Sequence, residues 1–340
     1  MEIKVRNVNH AFSEVFWLLN AYRNTNAIWP EDTRNGPAYV FPEPVMTTYT
    51  NPTERVLFHR GRDANPIFHL MESIWMLAGR QDVEFLQLFN SKIGQFSDDD
   101  RIFNAAYGYR WRHHFGHDQL LEVVEMLRAD PHTRQAVIQI WDHQDLIKPT
   151  KDKACNTQVI FDTRGNKLNM TVFNRSNDIW WGAYGANAVH FSVLQEFVAI
   201  ATNFKIGVYR QVSNNFHLYT ELYDAVKYIS SPPTPVEYDL YYNEVVTPHR
   251  LFEGDYRTFL LECERFCQDP FAYSLDYTHG FFINVARPMA MASRARRNGL
   301  GDGREWAQMI YAPDWRRATL DWIDRRENAK QLAFLKNVSL

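Results

Sequence analysis

TQVIFD at residues 157–162 and KLNMTVFNRS at 167–176 have the composition of β-strands, and the turn-forming residues 164–166 separate them. This arrangement predicts a β-hairpin. VHFSVLQEFVAIATN at 189–203 is long and apolar, which predicts a buried helix, and VYRQVSNNFHLY at 208–219 returns to strand character with polar groups at its end. These segments together predict an α+β fold, in which a mixed or antiparallel β-sheet packs on one long buried helix.

The flanking sequence adds weaker signals. Apolar residues recur at helical spacing from Pro66, and Gly79 is a suitable helix stop. The other predicted elements are an irregular loop with short strands at 30–50, a helix at 118–129, a strand at 136–141, a charged, glycine-rich loop at 293–305 and a terminal helix at 314–337.

Composition excludes several classes of function. The chain has 340 residues, 45% of them hydrophobic, and a net charge of −3, so it lacks the basic field of a protein that binds a nucleic acid polymer or an anionic membrane. It also lacks a run of 18 apolar residues or an apolar N-terminal leader. Three cysteines suit a reducing compartment. We therefore expect a cytoplasmic enzyme or small-ligand binder, with no membrane association.

Two residues stand out as candidates for catalysis. Cys155 lies in KDKACNTQ before a predicted strand, where a nearby cation or backbone donors would make it a thiolate nucleophile. Taken alone, a single cysteine also fits a small buried position. Glu72 lies close to the apolar stripe of its predicted helix, a position that suits either proton transfer or a helix edge partly in water.

Three arginines are candidates for binding phosphate. Arg34, Arg134 and Arg175 each lie in a loop or at a strand end between small polar residues, where guanidinium groups either clamp a phosphate or form surface ion pairs. The histidines at 113–117 and the pair Cys263 and Cys267 lack a complementary set of ligands, so we predict no metal site.

Read in order, these pieces resemble the thymidylate synthase superfamily. The resemblance rests on MESIWMLAG at 71–79, AYGYRWR at 106–112, Cys155, FNRSND at 173–178, Gly182, Asn187 and NNFHLY at 214–219. The order and spacing agree with the family pattern, apart from one extra residue between Gly182 and Asn187. The resemblance implies a single thymidylate synthase-like domain over 1–340, with a core at 34–246 and a divergent C-terminal extension at 247–340.

The resemblance also implies a role for each matching residue. Cys155 would attack C6 of a pyrimidine nucleoside monophosphate, and the one-carbon donor would be 5,10-methylenetetrahydrofolate. Arg134 would cross the interface of a homodimer to the partner's phosphate. The substrate would be held at three points: Arg34, Arg175 and Ser176 would bind the 5′-phosphate, Asn187 the base, and His217 and Tyr219 the sugar hydroxyl. Glu72 would transfer protons. Asp178 would support the site or the folate.

Two departures from the family pattern bear on the product. Residues 91–103 contain no tryptophan, and the C-terminal third lacks the family's closing segment. A less well sealed site would admit water, which would give a 5-hydroxymethyl rather than a methyl product. The resemblance is therefore closest to the dCMP/CMP 5-hydroxymethylase branch. Hydroxymethylation of a cytidylate ranks first, hydroxymethylation of deoxyuridylate second and genuine thymidylate synthesis third. The alternative that is not an enzyme is a catalytically inactive homologue that binds a nucleotide.

Overall fold

A computed structural model describes residues 1–227 and 239–338, with side chains as far as residue 329. In this part of the chain eight strands form one mixed sheet, in the order β1-β4-β8-β7-β6-β5, with the β2–β3 hairpin attached to the end of β8. The strands are β1 (Glu2–Val5), β2 (Pro30–Glu31), β3 (Ala38–Val40), β4 (Val45–Tyr49), β5 (Val137–Gln139), β6 (Asn156–Arg164), β7 (Lys167–Asp178) and β8 (Lys205–Tyr219).

The predicted hairpin is present as β6 and β7. It turns at Gly165, whose φ of 58° favours glycine. β7 then runs parallel to β8, as do β1 and β4, whereas the other pairs are antiparallel. The β7–β8 register sets Asp178 opposite His217, so the polar ends of both strands meet at one edge of the sheet.

The described helices pack against this sheet and against one another. Asn7 caps α1, and Asn65 caps α2, each by accepting backbone N–H groups of the first turn. The helices are α1 (Val8–Asn24), α2 (Pro66–Leu77), α3 (Val83–Gln87), α4 (Tyr107–Tyr109), α5 (Gln119–Ala129), α6 (Asn187–Ala201), α7 (Tyr256–Gln268), α8 (Arg287–Arg297), α9 (Arg304–Gln308) and α10 (Pro313–Val338).

The predicted long buried helix is α6. Every residue from Asn187 to Ala199 is buried, because α6 packs on β7 and β8 on one side and on α2 on the other. Its one carboxylate, Glu196, forms an ion pair with buried Arg55 and accepts a hydrogen bond from Leu251 N at 2.9 Å. The buried carboxylate of Glu196 is thus paired with a cation and hydrogen-bonded, as a charge inside the core requires.

The predicted elements at 30–50, 66–77, 118–129 and 314–337 are confirmed, with bounds shifted by a few residues, whereas the strand expected at 136–141 is limited to β5. The prediction of a loop at 293–305 is wrong for most of its length. α8 extends to Arg297, because the Ala, Met and Arg residues there favour a helix. Only residues 298–303 form a loop, which ends at Gly303, where a Cβ would lie 2.4 Å from Ala292 O.

The helices after residue 247 pack on the same helix that carries Glu72. α7, α8 and α10 all contact α2. Arg112 bridges the two parts of the chain, since its guanidinium lies 2.9 Å from Asp118 Oδ2 and 2.8 Å from Glu264 Oε1 of α7. We therefore propose that the extension belongs to the same single domain as the core.

Candidate active site

A cavity of about 420 Å³ opens where β7 and β8 end and α6 begins. Nine of the ten candidate residues from the sequence line it. They are Arg34, Glu72, Cys155, Arg175, Ser176, Asp178, Asn187, His217 and Tyr219. The tenth, Arg134, lies outside the cavity with its side chain exposed, just before β5.

Cys155 lies at the entrance to β6, with Arg175 beside its thiol. The distance from Arg175 Nη2 to Cys155 Sγ is 3.7 Å. Burial raises the pKa of the Cys155 thiol, while the positive charges of Arg175 and Arg34 act in the opposite direction. The pKa of the thiol is raised overall, because burial and the carboxylates of Asp152 and Asp178 outweigh the arginines, so Arg175 and Arg34 are the groups that favour the thiolate in this site.

The guanidinium of Arg175 is held by backbone carbonyls. Its Nε donates to Ala154 O at 2.8 Å and its Nη2 donates to Lys153 O at 3.0 Å. Arg34 reaches the same cavity from the loop between β2 and β3. Arg34, Arg175 and Ser176 therefore line the same cavity, and two guanidinium groups with a hydroxyl can bind a phosphate dianion.

Asp178 and His217 lie opposite each other on the two parallel strands, and His217 is buried. The Asp178 carboxylate accepts backbone hydrogen bonds from Trp181 N at 2.6 Å, Trp180 N at 3.1 Å and Gly182 N at 3.2 Å. Burial raises the pKa of Asp178, and these N–H groups oppose that shift. Burial also lowers the pKa of His217, so a neutral imidazole lines the cavity there.

Glu72 is partnered by a residue that the sequence reasoning missed. His190 of α6 places its Nε2 3.1 Å from Glu72 Oε2 of α2, and both side chains line the cavity. The signal was present in the sequence: His190 follows Asn187 by three residues, a spacing that puts both on one helix face. His190 Nε2 makes no hydrogen bond in this structure, so passing a proton between the carboxylate and the imidazole requires a small reorientation or a bridging water.

Asn187 reaches the cavity despite the extra residue that precedes it. The turn at 179–186 is not a regular helix, and its backbone breaks at Tyr184 and Gly185, where Gly185 has φ −119° and ψ −106°. This kink accommodates the extra residue, and α6 then begins with Asn187. Asn187 therefore lines the cavity, and its binding of the base stays a prediction.

A thymidylate synthase family model matches residues 62–261. The chain belongs to the thymidylate synthase family. It is 42% identical over 339 residues to a deoxyuridylate hydroxymethyltransferase of Pseudomonas phage M6, a match covering 96% of this chain and 95% of that protein. A deoxyuridylate hydroxymethyltransferase of Bacillus phage SP01 is 43% identical over 194 residues, 54% of this chain and 51% of that protein. A thymidylate synthase of Symbiobacterium thermophilum is 30% identical over 174 residues, 46% of this chain and 60% of that protein.

The cavity of this thymidylate synthase family protein also has an apolar wall. Leu86, Ile93, Phe96 and Phe103 line it together with Trp75. The stretch 91–103 thus contributes phenylalanine and isoleucine rather than tryptophan. Two tryptophans from other segments do line the cavity: Trp75 of α2 and the half-exposed Trp181 of the turn before α6. The wall offers flat aromatic surfaces to a planar ring.

Among the described residues no three His, Cys, Asp or Glu side chains are grouped as metal ligands, and His114 instead contacts Asp142, with Nε2 2.6 Å from Oδ2. None of the described helices combines the length and apolar composition that a membrane crossing requires.

Proposed function

We propose that the protein transfers a one-carbon unit from methylenetetrahydrofolate to C5 of deoxyuridylate and that water completes the product as 5-hydroxymethyldeoxyuridylate. The observation that carries the proposal is the cavity that brings Cys155, its arginine and the Glu72–His190 pair together beside Asn187. The sequence ranked cytidylate first, but the M6 relative, matched over nearly its whole length, is named for deoxyuridylate, which favours the substrate ranked second.

The chain's own residues account for the first covalent step. Arg34, Arg175 and Ser176 hold the phosphate, and His217 with Tyr219 binds the sugar hydroxyl. The Cys155 thiolate then adds to C6, and the electron pair of the C5=C6 bond makes C5 nucleophilic. Glu72 accepts and returns protons through His190 as the charge on the base changes.

The residues present fit a folate. The apolar wall of Trp75, Phe96 and Phe103 suits the planar pterin, and Trp181 stands at the mouth of the cavity with 54% of its surface exposed. Methylenetetrahydrofolate supplies the carbon at the oxidation level of formaldehyde. The protein supplies the orientation and excludes bulk water from one face of the base.

Water completes the reaction on the nucleotide. Once C5 has lost its proton and carries an exocyclic methylene, a water oxygen bonds to the methylene carbon and gives a proton to the Glu72–His190 pair. The electrons released move through C5 to restore the C5=C6 bond, and the C6–S bond to Cys155 breaks. The products are the 5-hydroxymethyl nucleotide and the free thiolate.

Mass spectrometry of the product tests this proposal. dUMP, dCMP and CMP are each incubated with the protein and methylenetetrahydrofolate. We expect dUMP to gain one CH₂O and folate to leave as tetrahydrofolate, because water and not hydride ends the reaction. A gain of one CH₂ with formation of dihydrofolate would identify thymidylate synthesis instead. Absence of tritium release from 5-tritiated nucleotide would identify a binder without turnover.

We also propose that the protein acts as a homodimer in the cytoplasm. Tyr209 faces α6, since its hydroxyl donates to Asn187 O at 3.2 Å, so alternation along β8 turns Val212 to the other face. There Val212 pairs with Phe173 of β7, and neither is fully buried. A second copy of the chain would cover this apolar sheet face, with the exposed Arg134 beside it.

Subunit mixing tests the role of Arg134. Arg134→Ala and Cys155→Ser dimers, each expected to have little activity, are dissociated, mixed and reassociated. If Arg134 serves the partner's site, each heterodimer regains one intact site, and random pairing restores roughly a quarter of wild-type activity. Arg164→Ala, which changes an exposed arginine on β6, serves as the control in place of Arg134→Ala. A mixture no more active than its components would place Arg134 outside the partner's site.

A further inference from the structure

A continuous chain of side-chain amides leads from the cavity into the core. Asn187 Nδ2 donates to Asn177 Oδ1 at 3.0 Å. Asn177 Nδ2 donates in turn to Gln211 Oε1 at 3.1 Å and to Ser213 Oγ at 2.9 Å. Gln211 Nε2 donates to the backbone carbonyl of Ala183 at 3.0 Å. We define these three side chains, Asn187, Asn177 and Gln211, as the amide relay.

The relay has only one consistent direction. A backbone carbonyl can only accept, so Ala183 O requires the amino group of Gln211 on its side and leaves Oε1 for Asn177. Asn177 must then turn its amino group to Gln211 and its oxygen to Asn187. The orientation of each amide fixes the next, and the last one in the chain is the amide that faces the cavity.

Burial makes it costly to turn any amide of the relay over. Gln211 is 1% exposed, Asn177 is 3% exposed and Ser213 is 2% exposed, so water cannot replace a broken bond. Turning the Asn187 amide over would set its oxygen against Asn177 Oδ1, leaving two acceptors face to face. The turn before α6 also leaves room for this contact, since a Cβ on Gly182 would lie 2.8 Å from Asn177 Oδ1.

We propose that Asn177 and Gln211 are positioning residues that set base specificity by holding the Asn187 amide in one of its two orientations. Uracil presents N3–H and O4, whereas cytosine presents N3 and an amino group, so the two bases require opposite orientations of the same amide. A fixed amide therefore accepts one base and rejects the other. On the proposed function, which this inference deepens, the accepted base is uracil.

Binding constants of dUMP and dCMP, measured by calorimetry on the whole protein, test the relay. In Asn177→Ala the Asn187 amide loses its fixed acceptor. We therefore expect the preference for one nucleotide, given as the ratio of the association constants of the preferred and the rejected nucleotide, to fall about tenfold, the equivalent of one buried hydrogen bond. Gln211→Leu should change the ratio by a similar factor. The double variant should add little, because both changes break the same chain.

A matched control separates positioning from loss of stability. Asn169 is also a buried asparagine on β7, and it donates to Asp162 Oδ1 and accepts from Val208 N, each at 3.0 Å. It does not line the cavity, so Asn169→Ala should leave the ratio unchanged. If Asn177→Ala does not fold, Asn177→Ser removes the same amide oxygen and gives the same test.

The outcomes distinguish this inference from the proposed function. An unchanged ratio in both folded relay variants would overturn the relay, even if the wild type prefers dUMP. A wild type that prefers dCMP would overturn the proposed substrate, and a loss of that preference in Asn177→Ala would still support the relay. A parallel loss of affinity for both bases would show a structural role alone and would also overturn the inference.

Discussion

Cys155→Ser is expected to lower the rate of tritium release from 5-tritiated dUMP by on the order of 10³-fold or more, because the covalent adduct at C6 is lost. A serine hydroxyl at this position has no base to activate it, since Arg175 lies 3.7 Å from the sulfur and can only donate. Nucleotide binding should change little, because the phosphate contacts remain. The measurement is single-turnover tritium release alongside calorimetric binding of dUMP.

The other cysteines supply the control for this prediction. Cys263 and Cys267 are buried in α7 and do not line the cavity. Cys267→Ala should therefore retain the wild-type rate per folded molecule, even if its stability falls. Tritium release by Cys155→Ser within tenfold of the wild type would show that the reaction does not begin at this thiol.

The central elements could be predicted because their signals are local. The β6–β7 hairpin follows from two strands with a glycine turn between them, and α6 follows from an apolar run too long for a strand. The pairing of β1 with β4 and of β7 with β8 depends on contacts between distant parts of the chain. No local pattern specifies those contacts.

The cavity residues that belong to sequence motifs could be predicted, whereas those brought to the cavity by the packing of separate elements could not. Cys155 and Asn187 lie in motifs with fixed order, and the structure brings both to the cavity. His190 was missed although its spacing from Asn187 puts both on one face of α6. Gln211 gave no separate signal, because its contact with Asn177 forms only in the folded sheet. The segment 293–305 was misjudged because its glycines outweighed the helix-forming residues before them.

Choice of the base shows the same limit. The sequence supplies Asn187, but an asparagine amide serves uracil or cytosine according to which way it is turned. The orientation of the Asn187 amide is fixed by Asn177 and Gln211, which lie on different strands and meet only in the folded sheet. The sequence alone therefore did not decide between uracil and cytosine, although it contains both residues that hold the amide.

Glu72→Gln is expected to lower formation of the hydroxymethyl product by about 10²- to 10⁴-fold, the usual range for loss of a general acid–base group. Glutamine keeps the shape of the side chain and its place beside His190 Nε2, 3.1 Å away, but it cannot accept a proton. His190→Gln should cause a loss of similar order, and the double variant should be little worse than either single change, because the pair acts as a unit. Product formation is measured by mass spectrometry under single-turnover conditions.

A second glutamate–histidine pair in this chain provides the matched control. Glu262 Oε2 lies 2.6 Å from His279 Nδ1, both side chains are buried, and neither lines the cavity. Glu262→Gln also removes a carboxylate from beside a histidine, and we expect it to cost at least as much stability as Glu72→Gln, because Glu262 is more deeply buried and also accepts hydrogen bonds from Thr278 N and His279 N. Only Glu72→Gln should lose the chemical step per folded molecule. Equal activity losses in the two variants would assign Glu72 to stability, and the water would then need another base.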